Sequence, residues 1–281
     1  MRILFLSVMI ITSLSGQSQV WTLKKGNVYA NLSFSYGRYN ESFDSTGEVE
    51  EIPLEITDET LSLMAQYGIT DKLTAQVEIP FKLLKSNGDL YYFNQFEGMP
   101  YLRTGQLNEF GNFSIGGIYK IVDDKPIITG SLFFEANTSE RNYLEGLQTG
   151  FNSYGIQPGF GAAWAFPKAW FTFYLGGDIR SNNYSSSVIS KIEAGYQPFT
   201  GIYLAGLLTI KQSVGNGGDD CDCTTNYTGL YLNNQAYTSF GLKGGYAYKS
   251  FGLNGAYHIG LSGKNLPATG YLSIGVQYKK V

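Results

Sequence analysis

From Thr60 to Lys82 the chain alternates apolar and polar side chains along two arms joined by a short turn. Leu61, Leu63, Ala65 and Tyr67 share one parity of the first arm, against Thr60, Ser62, Met64 and Gln66. After Gly68-Ile69-Thr70-Asp71-Lys72 the second arm sets Leu73, Ala75, Val77, Ile79 and Phe81 against Thr74, Gln76, Glu78, Pro80 and Lys82. A side-chain period of two on both sides of a tight turn predicts two antiparallel strands with one apolar and one polar face. Each arm runs for about nine residues, the length with which a tilted strand crosses roughly 30 Å of hydrocarbon. The expected element is a transmembrane β-hairpin, apolar face to lipid and polar face to a lumen.

The pattern recurs along the chain. Val28 to Tyr36 reads as a strand ahead of this hairpin, and after it the segments from Phe113 to Ala136, Ile156 to Ile179, Val188 to Ile210 and Ala236 to Leu261 each read as two strands about a short turn. Leu272 to Tyr278 reads as a last strand, ending in an aromatic. The stretches Asn40–Asp58, Lys85–Asn108, Asn137–Ser153, Ser181–Ser187, Val214–Asn233 and Ser262–Thr269 read as polar loops. About twelve strands joined alternately by short turns and long loops predict an all-β fold, a transmembrane antiparallel up-and-down β-barrel with its short turns in the periplasm.

The N-terminus supports export. Met1-Arg2, an apolar run from Ile3 to Leu14 and the small polar stretch Ser15-Gly16-Gln17-Ser18 have the layout of a secretory signal peptide. Residues 1–18 are therefore assigned to the signal and 19–281 to the barrel, which places the protein in the outer membrane of a Gram-negative envelope. No Cys stands near the cleavage point, so a lipid anchor is not indicated. The apolar run is also shorter than the roughly 20 residues a membrane helix needs.

Composition agrees. Glycine supplies 35 of 281 residues, aromatics 15% and charged residues 15%, against a usual charged share of about 25%. Abundant Gly, Tyr and Phe with few charges suits closely packed strands with aromatic girdles. The net charge of -3, with no basic run, argues against a nucleic-acid partner. The expected partners are membrane lipid on the outer face, a small-molecule solute in the lumen, and other outer-membrane proteins for a barrel that docks into an assembly.

Tyr67-Gly68-Ile69-Thr70-Asp71-Lys72 through Pro80-Phe81, together with Gly111 to Lys120 and Gln157-Pro158-Gly159, resembles an outer-membrane family ascribed to transport in the phenol meta-degradation pathway, distantly FadL-like. The resemblance implies a barrel and passage of small molecules, hydrophobic or amphipathic ones included. FadL-like channels carry an N-terminal plug, and the leader from Val20 to Lys25 is too short to form one.

The apolar residues set the phase of every strand, and the ionisable residues then fall on the opposite, lumen parity: Glu78, Lys82, Lys120, Glu135, Asp178, Arg180, Lys191, Glu193, Lys211 and Lys243. A cation on the lipid face at mid-bilayer costs roughly 2 to 4 kcal/mol, so a barrel must obey this rule. These side chains, with His258, are the candidate lumen lining. They have two readings, a selectivity lining for a passive channel or a salt-bridged filling inside a non-conducting structural or accessory barrel. The small inward face of Gly155, Gly159, Gly161, Ala163 and Ala165 also has two readings, a groove or room for the rings of Phe133, Tyr174 and Tyr203. His258, the one histidine, has no Gly-x-Ser-x-Gly elbow or His-x-Ser motif beside it, so no enzyme and no catalytic residue is expected. Cys221 and Cys223, within Asp219-Asp220-Cys221-Asp222-Cys223, lack the ligand set and spacing of a metal centre. No metal and no cofactor are expected, and that segment reads as an ordinary loop.

Overall fold

The computed structural model describes residues 20–88, 103–218 and 227–280. The signal segment and the pair Cys221 and Cys223 lie outside them. In chain order the strands are β1 (Val28–Phe43), β2 (Val49–Gly68), β3 (Leu73–Asn87), β4 (Gly105–Phe110), β5 (Ser114–Asp123), β6 (Ile127–Glu135), β7 (Arg141–Asn142), β8 (Leu147–Gln148), β9 (Gly155–Ala165), β10 (Ala169–Arg180), β11 (Ser187–Phe199), β12 (Ile202–Ser213), β13 (Ala236–Tyr248), β14 (Phe251–Lys264), β15 (Leu266–Pro267) and β16 (Gly270–Lys280).

Twelve of these form the wall in the order β1-β2-β3-β5-β6-β9-β10-β11-β12-β13-β14-β16, and β16 pairs back onto β1. Every neighbouring pair is antiparallel, and the closing ladder runs from Val28↔Lys280 to Tyr36↔Leu272. The expected twelve-stranded barrel is therefore the fold. Closure satisfies both edges, which an open sheet in lipid could not do.

Burial is inside out relative to a water-soluble domain. Leu132, Leu204, Leu253 and Ile274 are more than half exposed, whereas Asn31, Thr74, Thr129 and Thr172 are buried. Apolar side chains outward with polar ones packed within is the arrangement hydrocarbon demands. Around the short-turn end the outer face carries Tyr67, Tyr119, Phe199, Tyr248, Phe251 and Tyr278, all exposed. Toward the other end Phe134 stacks on Tyr154 with ring centres 6.0 Å apart, and Phe81 meets Phe110 edge-on at 5.1 Å. These are the two aromatic girdles of a membrane barrel.

Four loop expectations are corrected, Ser262–Thr269 among them, since β14 continues to Lys264 and β15 pairs with the end of β1. The stretch Asn40–Asp58 is mostly strand, because β1 and β2 continue together to Phe43↔Val49. Within it Ile52, Leu54 and Ile56 point inward and pack with Tyr39, Leu84, Leu147 and Leu230. Above the membrane the outside is water, so apolar side chains turn inward and the polarity of the two faces reverses without a change of phase. The stretch Lys85–Asn108 includes the end of β3 and most of β4, which pairs back onto β3 from Phe81↔Phe110 to Ser86↔Gly105. The stretch Asn137–Ser153 includes the β7–β8 hairpin, whose Leu147 and Gln148 are buried.

The glycine content also has a structural reason. Trp170 is registered with Gly195, Tyr203 with Gly245, Phe133 with Gly116 and His258 with Gly241. At each glycine an added Cβ would collide with the ring of its partner. Rings inside the barrel lie flat across a neighbouring strand that gives up its side chain to seat them. The small inward face of β9 follows this rule: Gly159 sits under Tyr174 and Gly161 under Val20.

Candidate functional site

The lumen is divided into a filled floor, a central chamber and a covered mouth. At the floor the leader turns inward instead of hanging free. Gly26 adopts a left-handed backbone (φ 79°), and its amide donates to the Gly68 carbonyl at 2.8 Å, so the chain doubles back past the β2–β3 turn. The Leu23 amide donates to Thr74 Oγ1 at 2.7 Å, and Val20 and Trp21 pack with Ala163, Trp170, Tyr174, Tyr203 and Ala205. The leader, expected to be too short for a plug, places Val20, Trp21 and Leu23 in buried positions, with Val20 and Trp21 against the rings of Trp170, Tyr174 and Tyr203.

At the mouth the apolar cluster around Leu54 and Leu230 lies beneath the folded loops. Tyr39 Oη donates to the Thr228 carbonyl at 3.0 Å, and Thr228 Oγ1 to the Gly146 carbonyl at 2.7 Å. Lys82 Nζ pairs with Asp58 at 2.8 Å and stands 5.5 Å from the centre of the Tyr231 ring.

Between floor and mouth lies a cavity of roughly 670 Å³, lined from β1 to β3 and β11 to β16 by groups including Ser33, Ser62, Gln76, Glu78, Lys191 and Thr209, with Leu230 and Tyr231 of the folded loops above. Cavities of a few hundred to about 1,000 Å³ accommodate small molecules.

The candidate lining residues separate into groups. Arg180 Nη1 donates to Glu135 Oε1 at 2.9 Å, its Nε to Asp178 Oδ2 at 2.9 Å, and Lys211 Nζ reaches the same Asp178 oxygen at 3.3 Å. Phe151 caps this cluster, with the Arg180 guanidinium 3.9 Å from its ring centre. Nearer the floor, Glu193 accepts from Trp170 Nε1 at 2.6 Å and from Lys243 Nζ at 2.5 Å. Trp170, Gly195, Ala205 and Lys243 are registered in one row across β10 to β13, so the small Gly195 and Ala205 clear the path between Lys243 and Glu193. Lys120 lies toward the short-turn end and pairs with Asp123 at 2.8 Å, apart from the chamber. Glu78, Lys191 and His258 line the chamber itself, and the Asp58–Lys82 pair borders it at the mouth.

Asp58, the Trp170 indole and the leader's Val20 and Trp21 were absent from the sequence-based lining, although Lys82, the partner of Asp58, was in it. Asp58 continues the parity of Thr60 and Ser62, a signal masked by reading its surroundings as loop. Among the described residues no group of three or more His, Cys, Asp or Glu could hold a metal ion.

A closed ring of twelve antiparallel strands, greasy outside and lined with paired charges, defines the class as a β-barrel of the outer-membrane kind. Solved structures agree on the fold. An outer membrane channel from Pseudomonas putida F1 superposes with a TM-score of 0.70 at 16% identity, over 92% of this chain and 97% of that one. The translocator domain of the autotransporter NalP from Neisseria meningitidis gives 0.54 at 10% identity, over 96% and 93%, and the NanC porin 0.52 at 12% identity, over 89% and 100%. No protein-family model matches the chain, and no curated protein matches it in sequence.

Proposed function

We propose that this protein is exported by residues 1–18 to the outer membrane of a Gram-negative bacterium, where the barrel acts as a passive channel for small polar or amphipathic molecules. One observation carries this reading: Glu78 is an exposed residue that lines the internal cavity, so an ionisable side chain inside the barrel faces open space. A barrel filled for stability alone gains nothing by leaving a charge against a void of that size, because an unpaired charge away from water is costly. The lining of hydroxyls, amides and charges with Met64 and Leu207 among them suits polar and amphipathic solutes better than purely hydrocarbon ones. The outer-membrane channel from Pseudomonas putida F1 shares the fold and is consistent with this role.

A second reading, a non-conducting accessory barrel, draws on the packing of Val20 and Trp21 against the floor rings. Single-channel recording in a planar bilayer separates the two. The channel reading expects steady openings that grow in conductance when Val20 and Trp21 are replaced by Ala. A folded barrel silent in both forms rejects it.

A further inference from the structure

The charges of the lumen are not distributed evenly between paired and open states. Asp58 with Lys82, Glu135 and Asp178 with Arg180, Asp178 with Lys211, and Glu193 with Lys243 all meet within 3.3 Å. These pairs close on themselves and present little free charge to a solute. Glu78 and Lys191 differ. Both line the chamber, and among the described residues neither makes an ion pair. Glu78 receives only a long bond from Ser62 Oγ at 3.4 Å, and Lys191 Nζ stands 5.6 Å from the centre of the Tyr174 ring.

Their positions in the wall explain the separation. Glu78 belongs to β3 and Lys191 to β11, five places apart in the ring of twelve strands, so they project from nearly opposite sides into the same space. Residues on adjacent strands, such as Asp58 and Lys82, can close on one another, but these two face each other across the cavity. The result is a chamber with one negative and one positive pole and no net charge. Around the poles stand hydrogen-bonding groups of both kinds, Asn31, Ser33, Thr60, Gln76 and Thr209 among them.

A neutral solute leaves both poles unanswered, and a simple ion answers one while repelling the other. A molecule carrying a cation at one end and an anion at the other answers both. We propose that the chamber selects small zwitterionic solutes of the amino-carboxylate class, with the ammonium directed to Glu78 and the carboxylate to Lys191. Each contact is a charge-assisted hydrogen bond, stronger than a neutral one. The separation of the poles, neither of them closed in an ion pair, allows a solute to leave as well as enter, as conduction requires. This inference rests on the channel reading and names the solute class for the same site.

The test uses the mature chain folded into phospholipid vesicles, with folding verified by its gel mobility before boiling. Swelling rates are compared in isosmotic γ-aminobutyrate, a four-carbon zwitterion, and in erythritol, an uncharged four-carbon solute. The wild type should admit γ-aminobutyrate about tenfold faster than erythritol, the order set by one charge-assisted hydrogen bond. Glu78→Gln and Lys191→Gln, each checked for folding by the same gel mobility, should each bring the ratio of the two rates close to one. The exchanged pair, Glu78→Lys with Lys191→Glu, should restore the preference. Equal rates in the wild type overturn the inference without needing any variant, as does a preference that survives both single substitutions. In those cases erythritol entry leaves the channel reading standing. Folded barrels that admit neither solute reject the channel reading and this inference together.

Discussion

Glu135 and Arg180 meet across an intervening strand because the residue registered with both of them is Gly155. With no side chain on β9 at that row, the carboxylate of β6 and the guanidinium of β10 close to 2.9 Å above the bare backbone. A Cβ at Gly155 would stand 3.2 Å from the Glu135 Cβ and 3.6 Å from Asp178 Oδ1. The glycine is thus part of the ion-pair cluster although it contributes no charge to it.

Removal of the guanidinium should be severe. Arg180→Gln leaves Glu135 and Asp178 facing one another with only Lys211 to offset them. Breaking a buried pair by removing one partner costs about 3 to 5 kcal/mol. The thermal unfolding temperature of the refolded barrel in detergent should fall clearly. In the double variant Arg180→Gln with Glu135→Gln, part of the loss should return, since the uncompensated charge goes with its partner. Strictly additive losses in this double-mutant cycle would show that the two residues do not act as a unit.

Gly195 supports a prediction of a different kind. The Trp170 ring covers it so closely that an added Cβ would overlap the ring atoms, while the indole N–H is fixed on Glu193. Gly195→Val must push the indole off Glu193 and into the space of Tyr203, whose ring centre is 6.2 Å from that of Trp170. A loss of about 1 to 3 kcal/mol is expected, as for overpacking a filled interior, with a change in tryptophan fluorescence as the indole is displaced. Gly195→Val combined with Trp170→Ala should recover much of the stability. Failure to recover would place the origin of the cost elsewhere.

Much of this architecture was legible from alternation alone, and the parts that were not share a cause. Which parity faces lipid follows from Leu61, Leu63 and their counterparts, because hydrocarbon permits only one answer. The lumen parity of Glu135, Arg180 and Lys243 follows by elimination. The choice of partner does not follow: Glu193 pairs with Lys243 two strands away and not with Lys191 on its own strand, a result of where Gly195 and Ala205 fall in register. The inner packing of Ile52, Leu54 and Ile56 escaped because the rule linking apolar residues to the outside holds only where the outside is lipid. The leader escaped because its length alone carries no sign of the ring-lined pocket waiting for Val20.

Acid should loosen the tip between β1 and β2 through one carboxylate. Asp44 accepts from the Thr46 hydroxyl at 2.8 Å and from the amides of Thr46, Gly47 and Glu48 at 2.7 to 2.9 Å. The Thr46 hydroxyl and these amides favour the ionised form and hold the Asp44 carboxyl below its usual value of 3.8. A folded value below the unfolded one means that the contribution is fully present above pH 3.8 and is lost as pH falls through the lower, folded value. Nuclear magnetic resonance titration of the Asp44 carboxyl should therefore give a midpoint below 3.8. Asp44→Ala should speed amide exchange at Gly47 and Glu48 at neutral pH, with the membrane strands unaffected. A midpoint at or above 3.8 would contradict the capped turn.

The two faces of β2 allow the membrane placement to be tested within a few residues. Leu63 projects outward and is 41% exposed, registered between Leu32 and Ile79, with apolar neighbours on both strands. Ser62, next in the chain, lines the polar chamber. Leu63→Arg places a guanidinium in hydrocarbon, within the apolar-outward part of β2, and should cost about 2 to 4 kcal/mol when folding is measured into lipid bilayers. Ser62→Arg turns the same charge toward water and Glu78, so its cost should be well under half of that. In a water-soluble sheet with one covered face the ranking would reverse, since the exposed side would tolerate arginine and the interior would not. Equal costs at the two positions, or the reversed order, would remove lipid from the outer face of the barrel and with it the reason for reading the lumen as a passage.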